Sequence, residues 1–364
     1  MKMRVIRITP RLKLGGVEVG ILHELAVVKN SSSINYHLIS IEKPDENVFC
    51  AFKNRISESN NVNLNMRWWE VFNLNKIKKS INFQTDDIIV SSLWKAHLLS
   101  LLIQIVKPDV KIVPFFHSSR SAHFLDKFFT AIILKRCKSA FVDSSSTEEF
   151  IKNKIAKRKV TLYRIPFVFK LPNCIEPREV NDVIKFVFIG RLNKVKGITS
   201  AIKLFHAYNK VNPHSTFDIY GPDEGELKNC YSTINELKLG DVVNYNGVAN
   251  RKDIGRILSG ADFFLQTSSR EGMAASVVEA MQYGVIPVVT AVGDIPSYSE
   301  NKISAFHLNS LTEADFKQVT DDINFCITSG SYSKMSSKAI SSIYNLGDYS
   351  DSFFKSLRDI SSGS

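Results

Sequence analysis

The stretch Thr267–Pro287, TSSREGMAASVVEAMQYGVIP, decides the fold of this chain. It carries two carboxylates, Glu271 and Glu279, eight positions apart. On one continuous helix that spacing turns about 800°, about 80° past two full turns, so the two acids would not share a face. Gly272 points to another arrangement, with Glu271 on a loop and Glu279 on a helix. The helix then begins near Ala275 or Ser276 and is capped at its end by Gly284. The apolar run Ala261–Leu265 ahead of the loop reads as a buried strand, and Val285–Val289 after the helix reads as the next one. A loop between such a strand and helix lies at the carboxyl end of a parallel strand, where open α/β sheets bind ligands. The amides opening the helix favour an anion, phosphate above all. A carboxylate beside such a site suits hydrogen bonds from sugar or ribose hydroxyls. Ser276-Val277-Val278-Glu279 also fits a capping box, and spacing alone leaves capping and ligand binding both open for Glu279.

Working outward, strand Lys185–Ile189 runs into Gly190-Arg191-Leu192-Asn193-Lys194-Val195-Lys196-Gly197. Gly190 admits close approach of a ligand, and Arg191 and Lys196 supply two cations before a helix. Those features together make a diphosphate site, against the plainer reading of a solvated turn. Thr216–Tyr220 and Val243–Asn246 read as further strands, followed by Gly221 and by Gly247-Val248. Toward the amino end, strand Val5–Thr9 leads through Gly15-Gly16-Val17-Glu18 into a helix ending at Lys29. The G-x-G-x-x-G pattern and a Walker lysine are absent, which argues against a dehydrogenase or a P-loop enzyme. Tyr36–Ser40, Ile88–Ser92 and Lys111–Phe115 read as strands, with helices over Val71–Asn82 and Ala96–Val106 between them. This alternation predicts a parallel sheet covered on both faces. His117 stands at the carboxyl end of the Lys111–Phe116 strand, on the edge where ligands bind. Ser139–Ser145 reads as the last clear strand of this half.

Glu-x7-Glu followed by Ala-Met-x-x-Gly, together with Gly-Arg-Leu…Lys-Gly, Gly-Gly-Val-Glu and the placed histidine, resembles the retaining glycosyltransferases of family four. The resemblance covers residues 3–30, 87–150 and, most strongly, 184–300. It implies the α/β GT-B fold: two Rossmann-like domains facing a central cleft, with a C-terminal helix crossing back to the first domain. The expected division is an acceptor-binding domain over 1–170, a linker over 171–183, a nucleotide-sugar domain over 184–347, and the returning helix and tail over 348–364. The resemblance implies catalytic roles for Arg191, Lys196, Glu271 and His117. It places the donor against Gly15, Gly16, Gly190, Arg191, Lys196, Gly221, Val248, Glu271, Gly272, Met273, Ala274, Ala275 and Glu279. Glu279 would hold ribose hydroxyls, Glu271 the donor sugar, and His117 the transferred sugar. The family often has His-Asp where this chain has His117-Ser118, and Gly-Gly where it has Gly293-Asp294. No Asp-x-Asp motif appears, so a metal-independent enzyme without cofactor is expected, its co-substrate a nucleotide-diphosphate sugar. The acceptor implied is a carbohydrate, lipid-linked, of the surface-polysaccharide or O-antigen kind.

Composition bounds the alternatives. The 364 residues suffice for two domains, and 44% hydrophobic content marks a globular chain. Five scattered cysteines without a C-x-x-C pair fit a reducing compartment rather than a disulfide framework or zinc site. No run has the length of a membrane span, and the start lacks a signal-peptide core, so a cytoplasmic protein is expected. The net charge of +11 is uneven: residues 1–180 carry 29 Lys+Arg against 16 Asp+Glu, or +13, and residues 181–364 carry −2. Phe128 and Phe129 lie in a basic helix over Phe124–Lys138, and Trp68 and Trp69 precede Lys76, Lys78 and Lys79. Both segments would suit peripheral contact with an anionic membrane at its inner face, or plain packing on the sheet. A sugar-nucleotide epimerase or hydrolase on the same fold is an alternative. A nucleic-acid-binding protein is a weaker one, because no RNA-binding signature is present and acids stand where phosphates would bind.

Overall fold

The computed structural model describes residues 2–13, 15–46, 52, 61–73, 82–118, 120, 123–155, 158–169 and 176–363, without the side chains of residues 61, 62, 68 and 69. Most of the 71–82 helix reading, with Lys76, Lys78 and Lys79, lies outside these residues, as do Cys50, Cys174 and Lys170-Leu171-Pro172. The chain divides into two compact units, Met1–Phe169 with Asp348–Ser364, and Lys170–Gly347.

The first unit is built on seven parallel strands: β1 (Met3–Thr9), β2 (Ile34–Ser40), β3 (Asn61–Asn63), β4 (Ile88–Ser92), β5 (Lys111–Phe116), β6 (Ser139–Val142) and β7 (Thr161–Arg164). Their order is β3-β2-β1-β4-β5-β6-β7, so the winding reverses between β1 and β4. Both faces are covered, and every residue of β4 is accordingly buried. Ile6, Ile8, Ile89, Leu99, Ile112, Ile133 and Val142 belong to one core. The strand expected over Ser139–Ser145 stops at Val142, because the Ser144 hydroxyl accepts from the Thr147 amide and turns the chain into helix Ser145–Ile155. That helix returns the chain to β7, a strand absent from the sequence reading, whose residues are half-buried or exposed at the sheet edge. Helix Tyr349–Ser362 packs in this unit, against helix Gly16–Lys29.

The second unit holds six parallel strands: β8 (Ile184–Ile189), β9 (Ser215–Tyr220), β10 (Val243–Tyr245), β11 (Phe263–Gln266), β12 (Ile286–Thr290) and β13 (Phe306–Leu308). Their order is β10-β9-β8-β11-β12-β13, and the winding reverses between β8 and β11. β11 and β12 are buried throughout, whereas β9, nearer the edge, alternates buried with half-buried residues. Phe186, Phe205, Tyr208, Phe217, Phe263 and Phe306 form the aromatic centre of the core. The first residues described after 170–175 are already fastened here: Arg178 donates to the Leu258 and Ala261 carbonyls, and Asn181 donates to Asp262.

Candidate active site

Open α/β sheets bind ligands outside the carboxyl ends of their strands where the winding reverses. In the second unit those ends are the loops after β8 and β11, which are Gly190–Gly197 and Thr267–Ala274. The two loops are laced together: Thr267 Oγ1 donates to the Gly197 carbonyl at 2.6 Å, and the Ser269 amide donates to the Val195 carbonyl at 2.8 Å. Lys196 Nζ reaches across to Glu271 Oε1 at 2.8 Å, and Gln266 Nε2 donates to the same oxygen at 3.0 Å. Gln266 in turn accepts from Ser276 Oγ at 3.0 Å. Glu271 is therefore held from both loops, with its side chain only 9% exposed.

Helix Ala275–Gln282 starts after Ala274, which adopts a left-handed φ of 53°. The capping box is overturned by this placement. Ser276 lies inside the first turn, its hydroxyl spent on Gln266, and Glu279 is turned to Arg251, whose NH1 lies 2.8 Å from Oε1 and 3.1 Å from Oε2. Burial raises the Glu279 carboxyl above its usual range, and Arg251 opposes that shift. Gly284 at φ +72° ends the helix as expected. Arg191 points to Glu224, with NH1 at 3.1 Å from Oε2, and Asn193 donates to the same carboxylate.

Two further glycines are required by the backbone around them. Gly221 takes φ +146°, and a Cβ there would stand 1.7 Å from the Gly190 carbonyl oxygen, so glycine at 221 lets the two loops pass each other. Gly293, at φ +62°, would set a Cβ 2.5 Å from the carbonyl oxygens of both Glu271 and Gly272. The adjoining Asp294 is buried; its amide donates to the Gly272 carbonyl at 2.9 Å, and it begins the short helix Ile295–Tyr298. Together with Tyr298 Oη, which donates to the Met273 carbonyl at 2.7 Å, these contacts fix the backbone from Glu271 to Met273. Val248 stands 54% exposed on the loop after β10.

In the first unit the reversal lies between β1 and β4. Gly15 precedes helix Gly16–Lys29, and the Glu18 carboxylate folds back so that a Cβ at Gly15 would meet its Oε2 at 2.8 Å. Burial pushes the Glu18 carboxyl up to about 7. Gly16 would meet only ordinary contact from Phe167. His117, following β5, is at 2.9 Å through Nε2 from Ser92 Oγ, and its Nδ1 is 3.8 Å from Asp143 Oδ2, beyond hydrogen-bonding reach. Burial, then Arg7 and His97, hold His117 well below the usual imidazole range, so the ring is neutral near pH 7.

Sequence reasoning missed Gln266, Asn193, Glu224, Arg251, Ser92 and Asp143. A polar residue closing an apolar strand, as Gln266 does, was the one available signal. The others meet their partners at sequence separations of 25–33, which no local pattern encodes.

Two doubly wound parallel sheets of this order define the class: the chain has the GT-B fold. Its solved likenesses include the pneumococcal O-GlcNAc transferase GtfA in complex with UDP and GlcNAc (TM-score 0.80, 11% identity, 99% of both chains). Another is Anabaena Alr3699/HepE in complex with UDP-glucose (TM-score 0.77, 16% identity, 99% of this chain and 100% of that one). More particularly, residues 175–340, nearly the whole second unit, match the family of glycosyl transferases group 1. An uncharacterized glycosyltransferase of Bacillus subtilis, YqgM, is 28% identical over 170 residues, 46% of this chain and 45% of that protein. The chain covers less than half the length of each curated relative it matches.

Proposed function

We propose that this chain is a retaining, metal-independent glycosyltransferase that moves a hexose or N-acetylhexosamine from a UDP-sugar to a hydroxyl of a sugar acceptor. The observation that carries the reading is the Lys196–Glu271 pair, which bridges the two loops at the second unit's reversal point. Lys196, Arg191 and the helix N-terminus at Ala275 supply positive charge for the departing diphosphate, and Glu271 accepts from the donor sugar's hydroxyls. Glu279 accepts from the ribose. In the transfer the acceptor oxygen bonds to the anomeric carbon as that carbon's bond to the diphosphate breaks. The acceptor proton passes to the diphosphate on the same face, which preserves configuration. The neutral imidazole of His117 serves as a hydrogen-bonding group to the transferred sugar rather than as a cation.

Label transfer from UDP-glucose or UDP-N-acetylglucosamine into a glycolipid extract tests the reaction. Calorimetry tests the division between the acids. Glu279→Gln is expected to weaken UDP itself, and Glu271→Gln to spare UDP while impairing transfer. Identical profiles for the two variants would refute the division.

The acceptor proposed is lipid-linked, a surface-polysaccharide or O-antigen precursor taken from the inner face of an anionic membrane. Among the described residues no helix is long and apolar enough to cross a membrane. Helix Phe124–Arg136 buries Thr130, Ile133 and Leu134 but leaves Phe124 76% and Phe128 48% exposed, beside exposed Lys127, Lys135 and Arg136. Phe129, paired with Phe128 in the sequence reading, instead turns inward and stacks on Trp94 at 5.8 Å. The side chains of Trp68 and Trp69 are outside the described residues. Each basic group near an anionic surface contributes about 1 kcal/mol, so a handful suffices for reversible attachment. The protein should float with anionic vesicles at low salt, not with neutral ones, and Phe124→Ser with Phe128→Ser should weaken the attachment. Equal behaviour with both vesicle types would favour a soluble acceptor.

A further inference from the structure

Arg251 has no part in the reading so far beyond its contact with Glu279, and its placement is specific. It lies on the loop after β10, 28 residues before its partner. One nitrogen, NH1, spans both carboxylate oxygens at 2.8 and 3.1 Å. A second contact fixes this geometry. Tyr283, one turn along from Glu279, sets its hydroxyl against Gly255, where a Cβ would stand only 2.7 Å away. Gly255 lies in helix Ile254–Ser259, directly after the Arg251 loop, so the element following that loop packs against the end of helix Ala275–Gln282.

We infer that Arg251 is a positioning residue that presents the Glu279 carboxylate to the vicinal hydroxyls of the donor's ribose and thereby sets discrimination between ribose and deoxyribose. This rests on the donor reading above. A carboxylate has about four lone-pair directions over its two oxygens. A single nitrogen between them leaves one outward direction on each, the pattern that two neighbouring hydroxyls donate to. A bidentate arginine or a lysine from another direction would take one of those sites. Among the described residues, the titratable and charged groups facing Glu279 are Arg251 from the loop and Tyr283, which caps the end of its helix. Burial raises the Glu279 carboxyl, and the Arg251 guanidinium favours the ionised form. Without Arg251 the carboxylate is protonated at higher pH, and a protonated acid accepts from the diol poorly.

The alternative is an ordinary half-exposed ion pair, which contributes little and whose loss would leave binding unchanged. Calorimetry of the whole protein with UDP and with 2′,3′-dideoxy-UDP, from about pH 8 to about pH 5.5, separates the two. Arg251→Gln is expected to weaken UDP about tenfold near pH 7, as loss of a charge-assisted contact does, while dideoxy-UDP changes less than about twofold. UDP affinity of the variant should also fall more steeply toward acid than the wild type's, and Arg251→Lys should recover most of the affinity. UDP binding by Arg251→Gln within twofold of wild type, with an unchanged pH profile, overturns the assignment and leaves the donor reading standing. Wild-type protein that binds no UDP overturns both.

Discussion

Lys196→Ala is expected to lower sugar transfer by about two to three orders of magnitude with little change in thermal stability. Loss of one charge donor aimed at a developing anion has an effect of that size. Lys196 is placed at its upper end because its side chain is only 16% exposed, and charge acts more strongly where water is scarce. Arg191, 57% exposed and turned to Glu224, should cost less, about tenfold to a hundredfold on replacement by Ala. Lys196→Ala leaves Glu271 held by Gln266, so the loop should keep its form and UDP should still bind, more weakly. Steady-state kinetics with a UDP-sugar decide the matter; activity within twofold of wild type would remove Lys196 from the mechanism. A chelator should leave the wild-type rate intact, and loss rescued by manganese would contradict the metal-independent reading.

The largest effect on stability is expected at Glu24. This carboxylate is fully buried in the first unit, accepts from the hydroxyls of Tyr36 and Tyr349, and lies 3.4 Å from the buried guanidinium of Arg7. Glu24→Ala strands a buried cation and two buried hydroxyls, and uncompensated burial of that kind costs about 3–5 kcal/mol. Tyr349→Phe removes one hydroxyl alone and should cost about 1–2 kcal/mol. All three tryptophans, Trp68, Trp69 and Trp94, belong to the first unit, so fluorescence-detected urea unfolding reports on that unit by itself. A loss below about 1 kcal/mol for Glu24→Ala would mean that the cluster tolerates an unpaired Arg7.

The alternation of short apolar runs with glycine-bearing loops made the inner strands of both sheets legible, because strands covered on two faces are rich in apolar residues, whereas the short edge strands β3, β7 and β13 carry no such run. Arg191, Lys196, Glu271 and Glu279 could be singled out because each follows a recognisable strand or sits on the helix after it. Their partners could not. Glu224 and Arg251 lie on neighbouring loops whose approach is a property of the folded sheet, not of spacing. The capping alternative for Ser276–Glu279 fails because the helix begins two residues earlier than that box requires, after the left-handed Ala274. The Ser139–Ser145 run misled because serines that prolong a strand by composition also cap helices, and Ser144 does the latter. Phe128 and Phe129, adjacent in sequence, point to different surroundings, as helical geometry requires of neighbours.

The return of helix Tyr349–Ser362 to the first unit also bears on the order in which the chain matures during synthesis. Domains generally fold as units as they emerge, amino-terminal ones first. Here the sequence reverses that order. The second unit is complete once Gly347 is made, whereas the first lacks Tyr349 until some 180 residues after its Phe169. Through that interval Glu24 holds Arg7 and Tyr36 but awaits its second tyrosine, beside the crevice that Gly20 leaves for the Tyr349 ring. The nascent first unit therefore cannot complete this cluster until Tyr349 is made, and the second unit can reach its native form sooner.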